Sequence, residues 1–457
     1  MSNDHNHQQP PTRQPGTPQA GIPAAGTPID RRSFIGSAAA TAGFMIINPS
    51  LVRGTQANSA IRVGLLGCGG RGTEDATNML DAGGARIVAL ADLFQDQLDA
   101  ARIHFNQLLQ AKNFPILDTA QLFAGADAFQ KIAASKEVDV IVVATPPYFH
   151  PQHLEAVVAA RKHVYLEKPV AVDVPGAMKV IDIGKRADGK LSLDIGFQIR
   201  DCPPFVEMVR RIHAGAIGKI VCGEAHYLTG YIDRPQWPKA SPEESRLRNW
   251  VHDKALSGDI IVEQNIHVID ICNWILNSHP LKASAAGGRA GRPQGDGDAW
   301  GNYHVVFQYP DGVDVTFSST QFAKGWWDVT ERFFGTRGTS QSPYVGPLGI
   351  WGDEPWQDQN SITPKDSSQP QAFSVTGNFR SNLEQADLEK KKAFIASIAS
   401  GKFHNQAAAG AESALSCMMA RTAAYTGREV AWEDTLKSTE VWDPKLDLEK
   451  ILKNQPK

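Results

Sequence analysis

The sequence predicts an α/β protein that opens with a parallel, doubly wound sheet and continues into a second domain with a sheet of its own. Three observations predict this. Apolar, strand-like runs alternate with helix-like stretches between residues 61 and 197. A glycine-rich turn, Gly67-Cys68-Gly69-Gly70-Arg71-Gly72, follows the first of those runs. Farther along, residues 303–317 read as strand, turn, strand.

Composition agrees and narrows the classes. A chain of 457 residues has room for two or three domains. With 42% apolar and 21% charged residues it is neither disordered throughout nor fibrous. The 46 Lys+Arg against 49 Asp+Glu give a net charge of −3 and no polycationic surface, so no nucleic-acid partner is expected. Five scattered cysteines without a CxxC argue against a disulfide framework or a structural zinc site.

In chain order, residues 1–29 are rich in Pro, Gln, Gly, Thr and His and lack apolar periodicity. Such a segment cannot bury enough surface to offset its ordering entropy. Asp30-Arg31-Arg32-Ser33-Phe34-Ile35 then precedes a soft Ala/Gly-rich apolar run to Ile47, the pattern of a twin-arginine export signal. That run is shorter than the roughly 20 residues a spanning helix needs, so no stable membrane span is expected after processing. Residues 1–59 are therefore read as a disordered region plus signal, and the destination as the periplasm.

Ile61–Leu66 reads as a buried strand running into the GxGxxG turn, with a helix from Thr73 to about Ala82. Gly67 allows the tight turn, Gly69 lets backbone approach a pyrophosphate, and Gly72 lets helix and strand pack closely. The next strand, Arg86–Ala91, ends at Asp92, whose carboxylate can accept bonds from ribose hydroxyls and repel a 2′-phosphate. NAD is thus expected over NADP. The alternation continues through the strand Val138–Ala144, Thr145-Pro146-Pro147, a helix near His150–Arg161, the strand His163–Leu166, Glu167-Lys168-Pro169, a helix Val174–Arg186 and a strand Leu191–Phe197. Residues 60–197 form the dinucleotide-binding Rossmann domain, and Thr145, Tyr148, His150, Glu167 and Lys168 fall at the carboxyl edge where ligands bind.

Beyond 197, Val305, Phe307, Val313, Val315 and Phe317 alternate on one face of the hairpin. A helix is expected over Ser257–Leu276, with Glu263, His267 and Asp270 on one stripe that contains no cation, which suits a polar cleft. Residues 340–382 look like a long irregular excursion, either a lid or an oligomer arm, and helices are expected over 383–400 and 409–426. His150, His153, Glu263 and His267 fit no compact zinc motif, and no metal is expected.

The Gly67–Gly72 loop, Thr145-Pro146-Pro147, Glu167-Lys168-Pro169, Gly196-Phe197-Gln198 and the stretch Gly258–Asp270 resemble the Gfo/Idh/MocA oxidoreductases, in particular the secreted members related to glucose–fructose oxidoreductase and glycoside dehydrogenases. The resemblance covers about residues 60–435. It implies that residues 198–457 hold an α+β substrate and oligomerisation domain with a large, mostly antiparallel sheet, through which a homodimer or homotetramer forms. It implies cofactor contacts from Gly67, Gly69, Gly70, Arg71, Gly72, Asp92, Thr145, Pro146, His150, Glu167, Lys168 and Gln198. It also implies that Lys168 stabilises charge on the substrate oxygen and that His267 is the general base. Glu263 stands where the family often has Asp, and either meets a second substrate hydroxyl or orients His267. Arg248 and Trp250 are candidate substrate residues, although core or interface tryptophan is an equal reading.

The expected function is an exported, NAD-dependent oxidoreductase acting on a sugar, glycoside or polyol hydroxyl. One alternative is a redox-neutral glycosidase or lyase working through a transient keto-sugar. Another is a non-catalytic NAD- or sugar-binding protein. Because free NAD is scarce outside the cytoplasm, tight cofactor binding before export is expected.

Overall fold

The computed structural model describes residues 59–362 and 381–454. The expected signal segment, the segment before it that was expected to be disordered, and residues 363–380 lie outside the described residues. Six parallel strands build the first sheet: β1 (Ile61–Leu66), β2 (Ala85–Asp92), β3 (Leu122–Ala124), β4 (Val140–Val143), β5 (His163–Leu166) and β6 (Leu193–Ile195). Their spatial order is β3-β2-β1-β4-β5-β6. Unbroken apolar runs suit this sheet because helices cover both faces, and Val63, Leu65 and all four residues of β4 have no exposed surface. The helices are α1 (Gly70–Asp81), α2 (Gln95–Ala111), α3 (Ala128–Ala134), α4 (His150–Ala159) and α5 (Val174–Ala187). Strand order reverses between β1 and β4, so their carboxyl ends part and leave a crevice. Gly67 and Thr145 stand close to those two ends.

The second sheet has nine strands: β7 (Ile220–Leu228), β8 (Lys282–Gly288), β9 (Asn302–Tyr309), β10 (Val313–Thr320), β11 (Asp328–Gly335), β12 (Gly338–Gln341), β13 (Gly349–Gly352), β14 (Trp356–Gln357) and β15 (Val430–Ala431). All neighbours are antiparallel except β7 and β10. The hairpin β9–β10 pairs Tyr309 with Val313 and Val305 with Phe317. The expected apolar face is buried, while Val306 on the opposite face is exposed. The excursion expected over 340–382 is in part regular: β12, β13 and β14 extend the sheet edge. Short strands rich in Gly, Ser and Gln carry too little apolar alternation to be recognised without the partner strand that pairs them.

The helix expected over Ser257–Leu276 is broken. Gly258 adopts φ +85° and Asp259 φ +72°, a left-handed pair that no helix continues through. Asp259 then caps the short turn Ile260–Glu263 by accepting the Ile260 N–H, and the main helix runs Ile266–Leu276. With Pro242–Arg248 as α6, this helix is α7, followed by α8 (Ala386–Ser400) and α9 (Ala407–Thr426). Helix α7 lies under the second sheet, where the Tyr309 hydroxyl donates to Asn273 Oδ1 at 2.7 Å. Helix α8 instead returns to the first sheet, packing Phe394 and Ile395 among Leu65, Val142 and Tyr165.

Candidate active site

The turn after β1 assigns each glycine a separate duty. Gly67 adopts φ +96°, and a Cβ there would lie 2.7 Å from the Ala144 carbonyl group. A Cβ on Gly72 would land on the Gly67 carbonyl oxygen. Gly69 is different: its backbone is extended, and a Cβ would meet nothing within 4 Å because it would project into the crevice. Among the described residues no side chain caps α1, so its first N–H groups are left for an anion. Open space at Gly69 and an uncapped helix start are what a pyrophosphate requires, and the residues present fit a dinucleotide.

The crevice has a volume of about 320 Å³ and is lined by Gly67, Gly69, Gly70, Asp92, Thr145 and Pro146 among others. Asp92 accepts the Cys68 N–H at 2.6 Å and the Phe94 N–H at 2.8 Å. Burial outweighs those bonds and pushes its carboxyl up to about 6. Above that pH it is an anion with lone pairs left for a ribose.

Arg248 and Trp250 line this same crevice and do not stand with Lys168. The Arg248 guanidinium lies 3.9 Å from the Phe94 ring centroid and 4.7 Å from that of Trp237. It donates to both oxygens of Asp96 at 2.9 and 3.0 Å and to Glu244 at 2.8 Å. Both candidates thus lie beside Asp92, on the side of the crevice where the adenosine ribose is expected. Helix α6 leans over the start of α2, a tertiary placement that adjacency to Gly258–Asp270 in sequence did not convey. Phe129, Gln97 and Leu448 also line the crevice and were missed, as do His153, weighed in the sequence only as a metal ligand, and Trp237, weighed there as a ring to stack on a sugar. For His153, three residues after His150 on α4, the helical spacing could have given a signal; for Leu448 there was none.

Lys168 and Glu263 meet across the two halves of the chain. Lys168 Nζ donates to the Glu263 carbonyl at 2.7 Å and to its Oε1 at 3.0 Å, with both side chains nearly buried. This settles neither expected role for Glu263 but adds a third, holding the lysine. His267 lies four residues beyond Glu263, in the first turn of α7, edge-on to the Phe197 ring at 6.2 Å. Burial first, then the Lys168 and Arg71 charges, hold its imidazole well below its ordinary value, so it is neutral and can accept a proton. Its Nδ1 is buried with no hydrogen-bond partner among the described residues, as are Gln198 Oε1 and both amide atoms of Asn265. Orphaned polar atoms of this kind are costly unless a ligand satisfies them. Asp270, expected on the same polar stripe, is instead withdrawn into pairs with Arg200 at 2.8 Å and Ser413 at 2.7 Å.

Three cofactor candidates serve as scaffolding around this centre. His150 is buried, with Nδ1 2.7 Å from the Pro169 carbonyl and Nε2 2.7 Å from that of Thr145. Burial pushes it down to about 4, so a neutral ring donates to one carbonyl at a time and ties the two loops together. The Arg71 guanidinium turns to Asp75, Glu167 and Asp387 and away from the crevice. Glu167 accepts the Lys168 N–H at 3.1 Å, and its carboxylate fills the space where a Cβ on Gly196 would stand. Burial raises the Glu167 carboxyl, but Arg71, Lys391 and Lys168 outweigh it and keep it ionised. Among the described residues no three His, Cys, Asp or Glu side chains converge as a metal site would require.

Comparison with known proteins matches these two halves separately. Residues 61–195 match the family model described as an oxidoreductase family with an NAD-binding Rossmann fold. Residues 205–341 match the GFO/IDH/MocA C-terminal domain. An inositol 2-dehydrogenase of Rhizobium meliloti is 25% identical over 64% of this chain and 78% of its own. An inositol 2-dehydrogenase 2 of Saccharopolyspora erythraea is 26% identical over 49% of this chain, and only 56% of that relative is spanned. Among solved structures, an aldose-aldose oxidoreductase of Caulobacter crescentus superposes with a TM-score of 0.63 at 17% identity, covering 81% of this chain and 99% of the other. A levoglucosan dehydrogenase bound to NADH and L-sorbose gives 0.62 at 19%, covering 82% and 99%. At such identities the superpositions speak for the fold. With one family model containing Lys168 and the other containing its partner Glu263, the chain belongs to the Gfo/Idh/MocA family of NAD-binding oxidoreductases.

Proposed function

We propose that this oxidoreductase acts on a secondary hydroxyl of a sugar, glycoside or polyol, and that it does so after twin-arginine export to the periplasm. The observation that carries the chemistry is the Lys168–Glu263 pair beside a neutral, half-buried His267. The sugar and inositol dehydrogenases among its relatives favour the substrate class. NAD, held by the Gly67–Gly72 loop and Asp92, supplies a two-electron hydride acceptor when bound. Lys168 donates a hydrogen bond to the reacting oxygen and stabilises the charge that grows on it. His267 accepts the hydroxyl proton, for which a neutral ring is required. Glu263 keeps the ammonium in place, at 3.0 Å, and compensates its charge. Export rests on the Arg31-Arg32 segment alone, and with scarce external NAD it calls for a cofactor retained through turnover.

The test uses full-length protein, NAD and a panel of inositols, aldoses and glycosides, followed at the NADH absorbance. Turnover with net NADH supports simple oxidation, whereas product without net NADH supports the redox-neutral alternative. Lys168→Ala and His267→Ala should each lower turnover by ~100-fold or more while NADH still binds. Near wild-type turnover in either variant would overturn the assigned roles.

A further inference from the structure

Beneath Lys168 lies a buried charge network that the proposed chemistry does not use. Arg71, at the start of α1, pairs with Asp75 at 2.9 Å, Glu167 at 3.1 Å and Asp387 at 2.6 Å. Lys391 pairs with Asp75 at 2.6 Å and Asp387 at 3.0 Å, and donates to the Tyr165 hydroxyl at 2.9 Å. The Asp75 and Lys391 side chains have no exposed surface. Two members, Asp387 and Lys391, come from α8, more than 200 residues beyond the loop they support. Their reach ends at Glu167, whose Oε2 accepts the Lys168 backbone N–H.

Three carboxylates against two cations leave a surplus negative charge when all are ionised. The Lys168–Glu263 pair above adds none. Burial pushes the Asp75 carboxyl up to about 7 against the pull of Arg71 and Lys391, so the surplus lies between zero and one charge near neutrality. A cationic ring next to Lys168 would feel this surplus, and a neutral ring would not. In a buried setting the field of an unmatched charge persists over the width of a site.

We propose that Asp387 and Lys391 are positioning residues through which the C-terminal helix α8 fixes the Glu167-Lys168 turn and sets how strongly the protein prefers oxidised over reduced NAD. This rests on the proposed function, in which Lys168 binds the reacting oxygen and the ring that takes the hydride must therefore lie against the same site. The network's net charge, more than its shape, carries the effect. Removing an acid and removing a base must therefore act in opposite directions, which loosened packing cannot imitate.

The experiment compares Asp387→Asn, Lys391→Met and the control Lys392→Met in the full-length protein. Lys392 shares the helix but is half exposed and, among the described residues, pairs only with Glu389. Dissociation constants for NAD+ and for NADH are measured separately by calorimetry and by NADH fluorescence at pH 8. Asp387→Asn should shift the NAD+/NADH affinity ratio toward NADH by roughly three- to tenfold. Lys391→Met should shift it toward NAD+ by a similar factor, and Lys392→Met should leave it within a factor of two. A ratio unchanged in both variants, or moved the same way in both, overturns the proposal. If either variant fails to fold, Lys391→Arg must restore the wild-type ratio, and a ratio it does not restore refutes the charge argument. Failure of the underlying reading is distinguishable: Lys168→Ala would then turn over normally whatever the ratios do.

Discussion

Replacing Gly69 and Gly72 separately by alanine separates two duties that one motif combines. At Gly72 the new methyl group would coincide with the Gly67 carbonyl oxygen and lie 3.1 Å from both Ala144 Cβ and Leu65 Cδ1. Neither a backbone carbonyl nor a strand side chain without exposed surface can yield cheaply, so overpacking should cost about 2–4 kcal/mol. In a chain of this length that corresponds to a melting temperature lower by roughly 2–5 °C. At Gly69 the backbone sits at φ −72°, ψ −175°, which alanine adopts freely, and the methyl meets nothing within 4 Å. The loss of a favourable N-cap residue and the gain from a less flexible unfolded chain nearly cancel, leaving about 0.5 kcal/mol or less. Yet that methyl occupies the space of the pyrophosphate, and NADH affinity should fall at least about tenfold, a change of ~1.4 kcal/mol. The assay is denaturant unfolding of nucleotide-free protein alongside an NADH fluorescence titration. Gly69→Ala protein as unstable as Gly72→Ala, or binding NADH as the wild type does, would refute the assignment of that open space to the cofactor.

Two further outcomes follow from the crevice. Asp92 titrates at about 6 in the folded protein, above its unfolded value, so its ionised form costs stability as pH rises from about 4 to 6. Cofactor binding has the opposite sign, because only the carboxylate accepts from both ribose hydroxyls: NADH affinity should weaken as pH falls through about 6. Asp92→Asn should flatten that profile and narrow the preference for NAD over NADP, and an unchanged profile would remove Asp92 from the ribose site. Arg248→Met should keep the stack on Phe94 and Trp237 but lose the paired bonds to Asp96. NADH dissociation, measured by stopped-flow displacement, should accelerate about tenfold, and a rate equal to wild type would show that Arg248 does not close the adenosine end.

The first sheet and its cofactor were legible in the sequence, which also named Lys168, Glu263 and His267 as candidates. Repeated apolar runs and a glycine turn are local signals, and a strand buried on both faces has no choice but to be apolar throughout. Lys168 and His267 became candidates through motifs shared with the family, and their roles are proposals. Tertiary structure alone decided what those residues touch. Only the folded chain brings Glu263 onto Lys168, 95 positions away, and only there does a stripe that looks uniform in sequence divide into a cleft residue, His267, and a buried partner of Arg200, Asp270. Arg248, Trp250, Arg71 and His150 were recognised as important, but their neighbours were not readable, because an arginine or histidine is equally at home on a phosphate, a carboxylate or a carbonyl. The break at Gly258-Asp259 and the return of α8 to the first sheet belong to the same class. Both follow from where distant side chains must go to bury their charges, and periodicity along a chain carries no information about partners several hundred residues away.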